Sequence, residues 1–475
     1  MEKITLAIKN AFFNRNSQMF VFGLFSIFFI FCGMETGKYA VAMFPALLLC
    51  SIVIYFKPQL ILLFFLASFY AGIQLYTKNM LMVDIADFTI MILFLGFFSK
   101  LFQQKKVSFE NSGTKNIIGA LIAFLIIAMF SIILNVQTKK PIDVFTSLWY
   151  IFNLIELIMV LVIFSQKYFQ NIREMSINLV LLFSIIEVIA ALYQYSGIGG
   201  EYASVESLRD VRGTFSNHHA MLGNMMVLML AFCLYRSIIS KNVMLKLVYI
   251  SGILFSIYMV IISGSRSTLF GIFATIACYL IINIKLSKKF IIYSSILVTT
   301  CVCLFLFSPV HDITLNTFKN NQTNQLDLSS YGRLLVWKGA IQHFIEAPVL
   351  NKLFGIGFGN YYTMKYSFSL VEGNKNISGG HNNYLHALTE TGIIGLIVFM
   401  LLFILILVKL KKQSKINRLS FVYFYATIAL LFSGFTQETF WFQPAFYRFW
   451  LIYIFFLGLC LSSREKEEQS SEKVI

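Results

Sequence analysis

The stretch GIIGLIVFMLLFILILVKL, residues 392–410, carries no charge before Lys409. It is as long as the roughly 20 apolar residues needed to cross about 30 Å of hydrocarbon. The basic run KKQSKINR, residues 411–418, follows at once, the kind of border that marks a cytoplasmic loop. Working outward, comparable apolar runs recur near 19–32, 39–56, 59–75, 81–102, 117–135, 144–164 and 177–195. They continue near 217–236, 246–263, 266–284, 290–308, 420–435 and 444–462. The runs at 19–32, 59–75 and 420–435 fit the length criterion least well. The expected fold is all-α, a polytopic integral membrane protein of about 12–14 transmembrane helices.

Composition points the same way. Of 475 residues 58% are hydrophobic and 13% charged, against about 45–50% and about 25% in a soluble domain. An ordinary soluble enzyme is excluded. The 51 Phe are spread over the whole length, which also excludes a soluble domain hung from one anchor. All seven Cys sit in apolar runs and read as small buried hydrophobes, so neither a disulfide framework nor a metal site is expected. No cleavage site stands out after the N-terminal region, so no cleavable signal is expected.

The 38 Lys+Arg outnumber the 22 Asp+Glu, a net charge of +16. In a membrane protein such an excess sets topology or faces anionic lipids and substrates. Nucleic acid is a poor partner, because the basic residues alternate with apolar spans instead of forming a patch. With the N-terminus inside, most of the 38 fall in cytoplasmic loops, although Lys139 and Lys140 break the rule. This divides the chain into a transmembrane region (1–308), a large extracytoplasmic loop (309–391), C-terminal transmembrane helices (392–462) and a cytoplasmic tail (463–475). A connection as long as the loop is commonly functional.

The residues able to do chemistry gather on the outer side. Arg266 lies in Ser263-Gly264-Ser265-Arg266-Ser267-Thr268 at the junction of two spans, where an unpaired charge is costly. Arg209 and Arg212 precede the span at 217–236, and Arg333 begins an amphipathic stretch that includes Trp337. Guanidinium groups bind phosphate in a bidentate way and stay charged, so arginines converging at one membrane face suit a diphosphate clamp. Each has a plainer reading: an Arg209–Asp210 surface pair, a snorkelling Arg266, a solvated Arg333.

Among six His, His381 stands out in Gly379-Gly380-His381-Asn382-Asn383-Tyr384-Leu385-His386, just before a span. A neutral imidazole there can accept a proton from a hydroxyl, or serve as a structural hydrogen-bonder. His386 and His343 rank behind it. Gly355-Ile356-Gly357-Phe358-Gly359 looks like a nucleotide loop only superficially, and tight turns over a membrane site suit it better. Glu156 and Glu187, within spans, read as a proton relay or as helix-to-helix hydrogen bonds.

Taken together, the S-G-S-R junction, R-x-x-x-W-x-x-A, G-x-G-x-G, H-N-x-Y-L and E-x-G-I-I-G (Glu390 to Gly395), in this order, resemble the O-antigen ligase and O-antigen polymerase superfamily. The resemblance covers about residues 200–410. It implies a GT-C-like membrane glycosyltransferase acting on the extracytoplasmic face of a bacterial plasma membrane, without metal, nucleotide or other cofactor. Its donor would be a glycan on undecaprenyl diphosphate. By this likeness Arg266 and Arg333 hold the diphosphate and His381 activates the acceptor, with inversion expected at the anomeric carbon. Candidate substrate contacts are Arg212, Arg209, Asn382, Tyr384 and Trp337.

Three functions fit these expectations. A polymerase would join lipid-linked repeat units into capsule, exopolysaccharide or O-antigen, with a chain-length regulator and a flippase as partners. A ligase would move finished glycan to lipid A core or another envelope acceptor. A transporter or flippase would move the lipid-linked oligosaccharide without bond exchange. The number of spans favours the polymerase.

Overall fold

The computed structural model describes residues 74–76, 82–84, 112–136, 141–166, 172–196, 219–283, 328–361, 381–442 and 444–462. These belong to a compact unit of Leu66–Asp84 with Val107–Ile475. A second unit, Met1–Phe65 with Ile85–Lys106, lies outside the described residues. So do the runs predicted at 19–32, 39–56 and 290–308, most of those at 59–75 and 81–102, Arg209, Arg212 and the tail 463–475.

Strands β1 (Gln74–Tyr76) and β2 (Met82–Asp84) pair antiparallel, Gln74 opposite Asp84. They correct the runs at 59–75 and 81–102 where these face each other: extended chain replaces helix there.

The helices are α1 (Ser112–Asn135), α2 (Pro141–Phe164), α3 (Arg173–Ser196), α4 (His219–Ile239), α5 (Val243–Ile262) and α6 (Arg266–Asn283). After them come α7 (Leu328–Glu346), α8 (Val349–Phe354), α9 (Asn383–Gln413), α10 (Arg418–Ser433) and α11 (Pro444–Leu461). Among the described residues, six helices, α1–α5 and α9, are long and apolar enough to cross a membrane. The chain is an all-α, multi-pass membrane protein.

Most of these match the apolar runs within a few residues, but α9 does not. It starts at Asn383, well before 392, and Gly392 inside it has φ 72° and ψ −173°. Residues 383–391 form a separate helical segment leading into the span. Its polar composition hides it from a hydropathy reading, so the loop expected to end at 391 is already helical from 383 onward.

Packing sorts the helices. α4 contacts α3, α5 and α10; α1 lies against α2 and α9; α2 lies against α11, and α6 against α10. Helix α11 is enclosed on every face over residues 446–461, with Trp450 and Phe455 wholly buried and Arg448 its one charged residue. By contrast Ile133 of α1 is 62% exposed and Ile397 of α9 is 59% exposed. Such outward apolar residues fit lipid contact, because lipid asks no polar face of a helix. Two hydrogen bonds tie helices together: the Tyr447 hydroxyl donates to the Glu156 carboxylate, joining α11 to α2. The Tyr423 hydroxyl donates to the Tyr453 carbonyl at 2.6 Å, joining α10 to α11.

Candidate active site

The site is built around the start of α9. Asn382 is extended, and its side-chain oxygen accepts from the Tyr384 and Leu385 N–H groups at 2.9 and 3.1 Å, capping the helix. The Asn383 N–H donates to the Gly434 carbonyl at 2.9 Å, and the Tyr384 hydroxyl to the Leu431 carbonyl at 2.8 Å. These bonds tie the start of α9 to the end of α10. Asn382 and Tyr384, expected at the substrate, thus have structural work in the fold.

The connection from α10 to α11 then brings in Glu438. Its Oε1 accepts the His381 N–H at 2.9 Å and lies 2.7 Å from His386 Nε2. The other ring nitrogen of His386 is 3.6 Å from Glu390 Oε1, an ion-pair distance too long for a hydrogen bond. The Glu390 carboxylate in turn accepts the Gly359 and Tyr361 N–H groups, both at 2.9 Å. His386, Glu390 and Glu438 are each 1% exposed, so these contacts work in a low local dielectric. Burial pushes the Glu438 carboxyl up. The His386 hydrogen bond and the nearby imidazoles overcome this and bring it down to about 2.

The glycine run is a loop clasped by α9. Gly355, Gly357 and Gly359 all have positive φ. The Ile356 N–H donates to the Thr389 carbonyl at 2.9 Å, and the Ser131 hydroxyl to the Glu390 carbonyl at 2.6 Å. Between the glycines, Phe358 turns inward, wholly buried, with its ring edge-on to Phe124, Tyr150 and Trp441. Tight turns are the use of this run.

Helix α7 joins through Val336, Ala340 and Tyr361, with Trp337 packed on them, so Trp337 sits in a small apolar cluster. The Tyr361 ring lies 4.0 Å from the His386 ring, centroid to centroid. This mounting brings Arg333 within electrostatic reach of His381. His381 has φ 45°, a rare backbone region for a residue with a side chain. Its Nδ1 is buried without a hydrogen-bond partner among the described residues. Burial lowers its pKa below 6.5, Arg333 and His386 act in the same direction, and Glu438 opposes them. At neutral pH the imidazole is therefore neutral and able to accept a proton.

Arg266 opens α6 at the same end of the bundle. Next to it the Ser265 and Thr268 hydroxyls are 2.7 Å apart. The Thr268 hydroxyl donates to Asn224 Oδ1 at 3.2 Å, and Ser433 reaches the same oxygen at 3.4 Å. Ser433 precedes Gly434, which holds Asn383. Arg266, Arg333 and His381 thus lie on elements joined at one end. Sequence reasoning passed over Glu438, whose signal was an ionisable residue in the polar triplet 437–439 between two apolar runs. It also underrated His386, the centre of the buried network.

Fold and site together define a multi-pass membrane protein with a buried imidazole–carboxylate network at one end of its bundle. Residues 251–400 match the O-antigen ligase family, a stretch that contains all five motifs quoted above. The match bears out the resemblance to the O-antigen ligase and polymerase superfamily and marks a glycosyltransferase-like enzyme of polysaccharide biosynthesis. No curated protein matches the chain.

Proposed function

We propose that this protein is an extracytoplasmic glycan polymerase of the bacterial plasma membrane. It transfers an undecaprenyl-diphosphate-linked oligosaccharide to the non-reducing-end hydroxyl of another lipid-linked repeat unit. The observation that carries the reading is the buried Nδ1 of His381, without a hydrogen-bond partner among the described residues and within electrostatic reach of Arg333, at the bundle end where Arg266 opens α6. In the reaction the acceptor hydroxyl gives its proton to His381 while its oxygen attacks the anomeric carbon. The carbon–oxygen bond to the diphosphate breaks, and its electron pair leaves on undecaprenyl diphosphate. The imidazolium then returns the proton to solvent. Negative charge grows on the leaving oxygen, so Arg266 and Arg333 stabilise the transition state more than the ground state. Attack opposite the leaving group inverts the anomeric centre, and the chemistry needs no metal or nucleotide.

The test supplies purified protein in proteoliposomes with lipid-linked repeat units extracted from cells deleted for the gene. A ladder of lengthened glycans with inverted linkages by NMR is expected. Transfer only after a second acceptor is added indicates a ligase, movement without bond exchange a transporter, and retained linkages contradict the mechanism.

Arg333→Ala and Arg266→Ala should each lower turnover by about 100-fold or more, the scale for removing one group that stabilises transition-state charge. Lys should restore little, because it lacks the bidentate fork. Wild-type release of undecaprenyl diphosphate by both Ala variants would remove the clamp.

A further inference from the structure

The geometry points to Glu438 as a positioning residue for the reaction: through one carboxylate oxygen it holds the backbone of His381 and the ring of His386, fixing the base and balancing the proton it gains. The inference rests on the reading of His381 as base. Glu438 lies outside the stretch that matches the O-antigen ligase family and in a different connection from the long loop.

Two observations carry it. His381 sits at φ 45°, a conformation costing on the order of 1 kcal/mol for a residue with a side chain. Something must hold it there, and the bond of the His381 N–H to Glu438 Oε1 at 2.9 Å does so. The same oxygen is anchored by His386 Nε2 at 2.7 Å, and the His386 ring is packed between Tyr361 and Trp441. The carboxylate therefore cannot drift, and the strained turn ahead of α9 stays in one shape. That shape leaves His381 Nδ1 unbonded for substrate.

The second role is electrostatic. Among the described residues, the charged groups acting on His381 are Glu438 from the α10–α11 connection, Arg333 from α7 and His386 from α9, in that order of strength. Burial, with Arg333 acting in the same direction, keeps the imidazole neutral before reaction, and the Glu438 charge stabilises the imidazolium as it forms. Helix α9 also carries Glu390, but that carboxylate is tied to the Gly359 and Tyr361 N–H groups and faces His386. Unlike the orienting carboxylate of a catalytic triad, Glu438 bonds the backbone N–H of the base and not its ring, so it acts on the His381 imidazole through backbone position and charge.

Glu438→Gln keeps an oxygen for the His381 N–H and removes the charge, whereas Glu438→Ala removes both. With the extracted lipid-linked repeat unit, Glu438→Gln should lose about 10-fold in turnover and Glu438→Ala about 100-fold, the range seen when a supporting residue is removed. KM for the lipid-linked unit should be unchanged. The acid limb of the pH–rate profile should move to lower pH in Glu438→Gln, because the largest group raising the His381 pKa is gone. Any accompanying loss of the His386 proton acts the other way but is the weaker influence. Arg333→Ala should move the limb to higher pH. Glu438→Asp should recover part of the turnover and return the limb toward the wild-type position.

Wild-type turnover and an unmoved limb in Glu438→Gln would overturn the assignment. So would a loss of turnover accompanied by a lower melting temperature in detergent and an unmoved limb. The base is tested separately: if His381→Ala retains activity, the reading of His381 falls. If His381→Ala is inactive and Glu438→Gln behaves as wild type, only the role of Glu438 falls. In the His381→Ala background, Glu438→Gln should cause no further loss.

Discussion

His381→Ala abolishes glycan transfer while the protein inserts and folds. In the proposed reaction general-base catalysis contributes about 10²–10⁴-fold, and loss of that factor takes the proposed polymerisation below detection of a ladder. The fold should survive because the His381 side chain has no hydrogen bond at Nδ1 to orphan, and its N–H bond to Glu438 belongs to the backbone. His381 already bears the strain of φ 45°, so Ala adds little to it. His381→Asn removes it from the comparison, since Asn tolerates the left-handed region better than other side chains. Both variants should elute and melt as wild type in detergent and make no polymer from the lipid-linked unit. The wild-type pH profile adds a second readout. The folded pKa lies below 6.5, so the neutral, active form prevails at neutral pH, and the rate falls only as acid protonates the ring through that lowered value. A variant with wild-type rates at position 381 removes the base.

Gly392→Ala separates the glycine loop from α9 and loses both stability and activity. Gly392 has φ 72°, and a Cβ there would lie 2.2 Å from the Leu353 carbonyl oxygen. The contact is reciprocal, for a Cβ on Gly355, at φ 81°, would lie 2.3 Å from the backbone of Glu390. Two backbones meet without side chains between them, and this lets Glu390 reach the Gly359 and Tyr361 N–H groups. The left-handed conformation costs Ala about 1–2 kcal/mol, and forcing a methyl into a packed contact about 1–3 kcal/mol more. Against a total stability of about 5–15 kcal/mol, that is a large loss. Gly119→Ala is the matched control, because a Cβ on that helical glycine meets nothing within 4 Å. Thermal unfolding in detergent should show a clear drop for Gly392→Ala and Gly355→Ala and none for Gly119→Ala. Equal melting of all four proteins would show that the crossing yields easily.

The motifs were legible because each is local. Ser263 to Arg266 reads as a tight junction between spans and is one, with Gly264 at φ 64°. The glycine run reads as tight turns and is a loop of positive φ. The helical segment before Gly392 was not legible, since Thr389, Glu390 and Thr391 look like loop until their partners on other elements are seen. The cap that Asn382 makes on α9 shows only in the structure. Glu438 was not legible either, because it stands 57 residues from the His381 N–H that it accepts.

By itself the sequence determined that the chain is helical, crosses a membrane many times and carries, in order, motifs that resemble those of the superfamily. Those are properties of composition over a window of residues, because transfer of an apolar segment into lipid depends on that segment alone. Tertiary structure alone decided which histidine is buried between carboxylates, which carboxylate holds His381, and why glycine is required where the backbones at 353–355 and 390–392 meet. A buried polar group takes whatever partner the packed helices deliver, since leaving it unpaired in a low dielectric costs more than any local preference can supply.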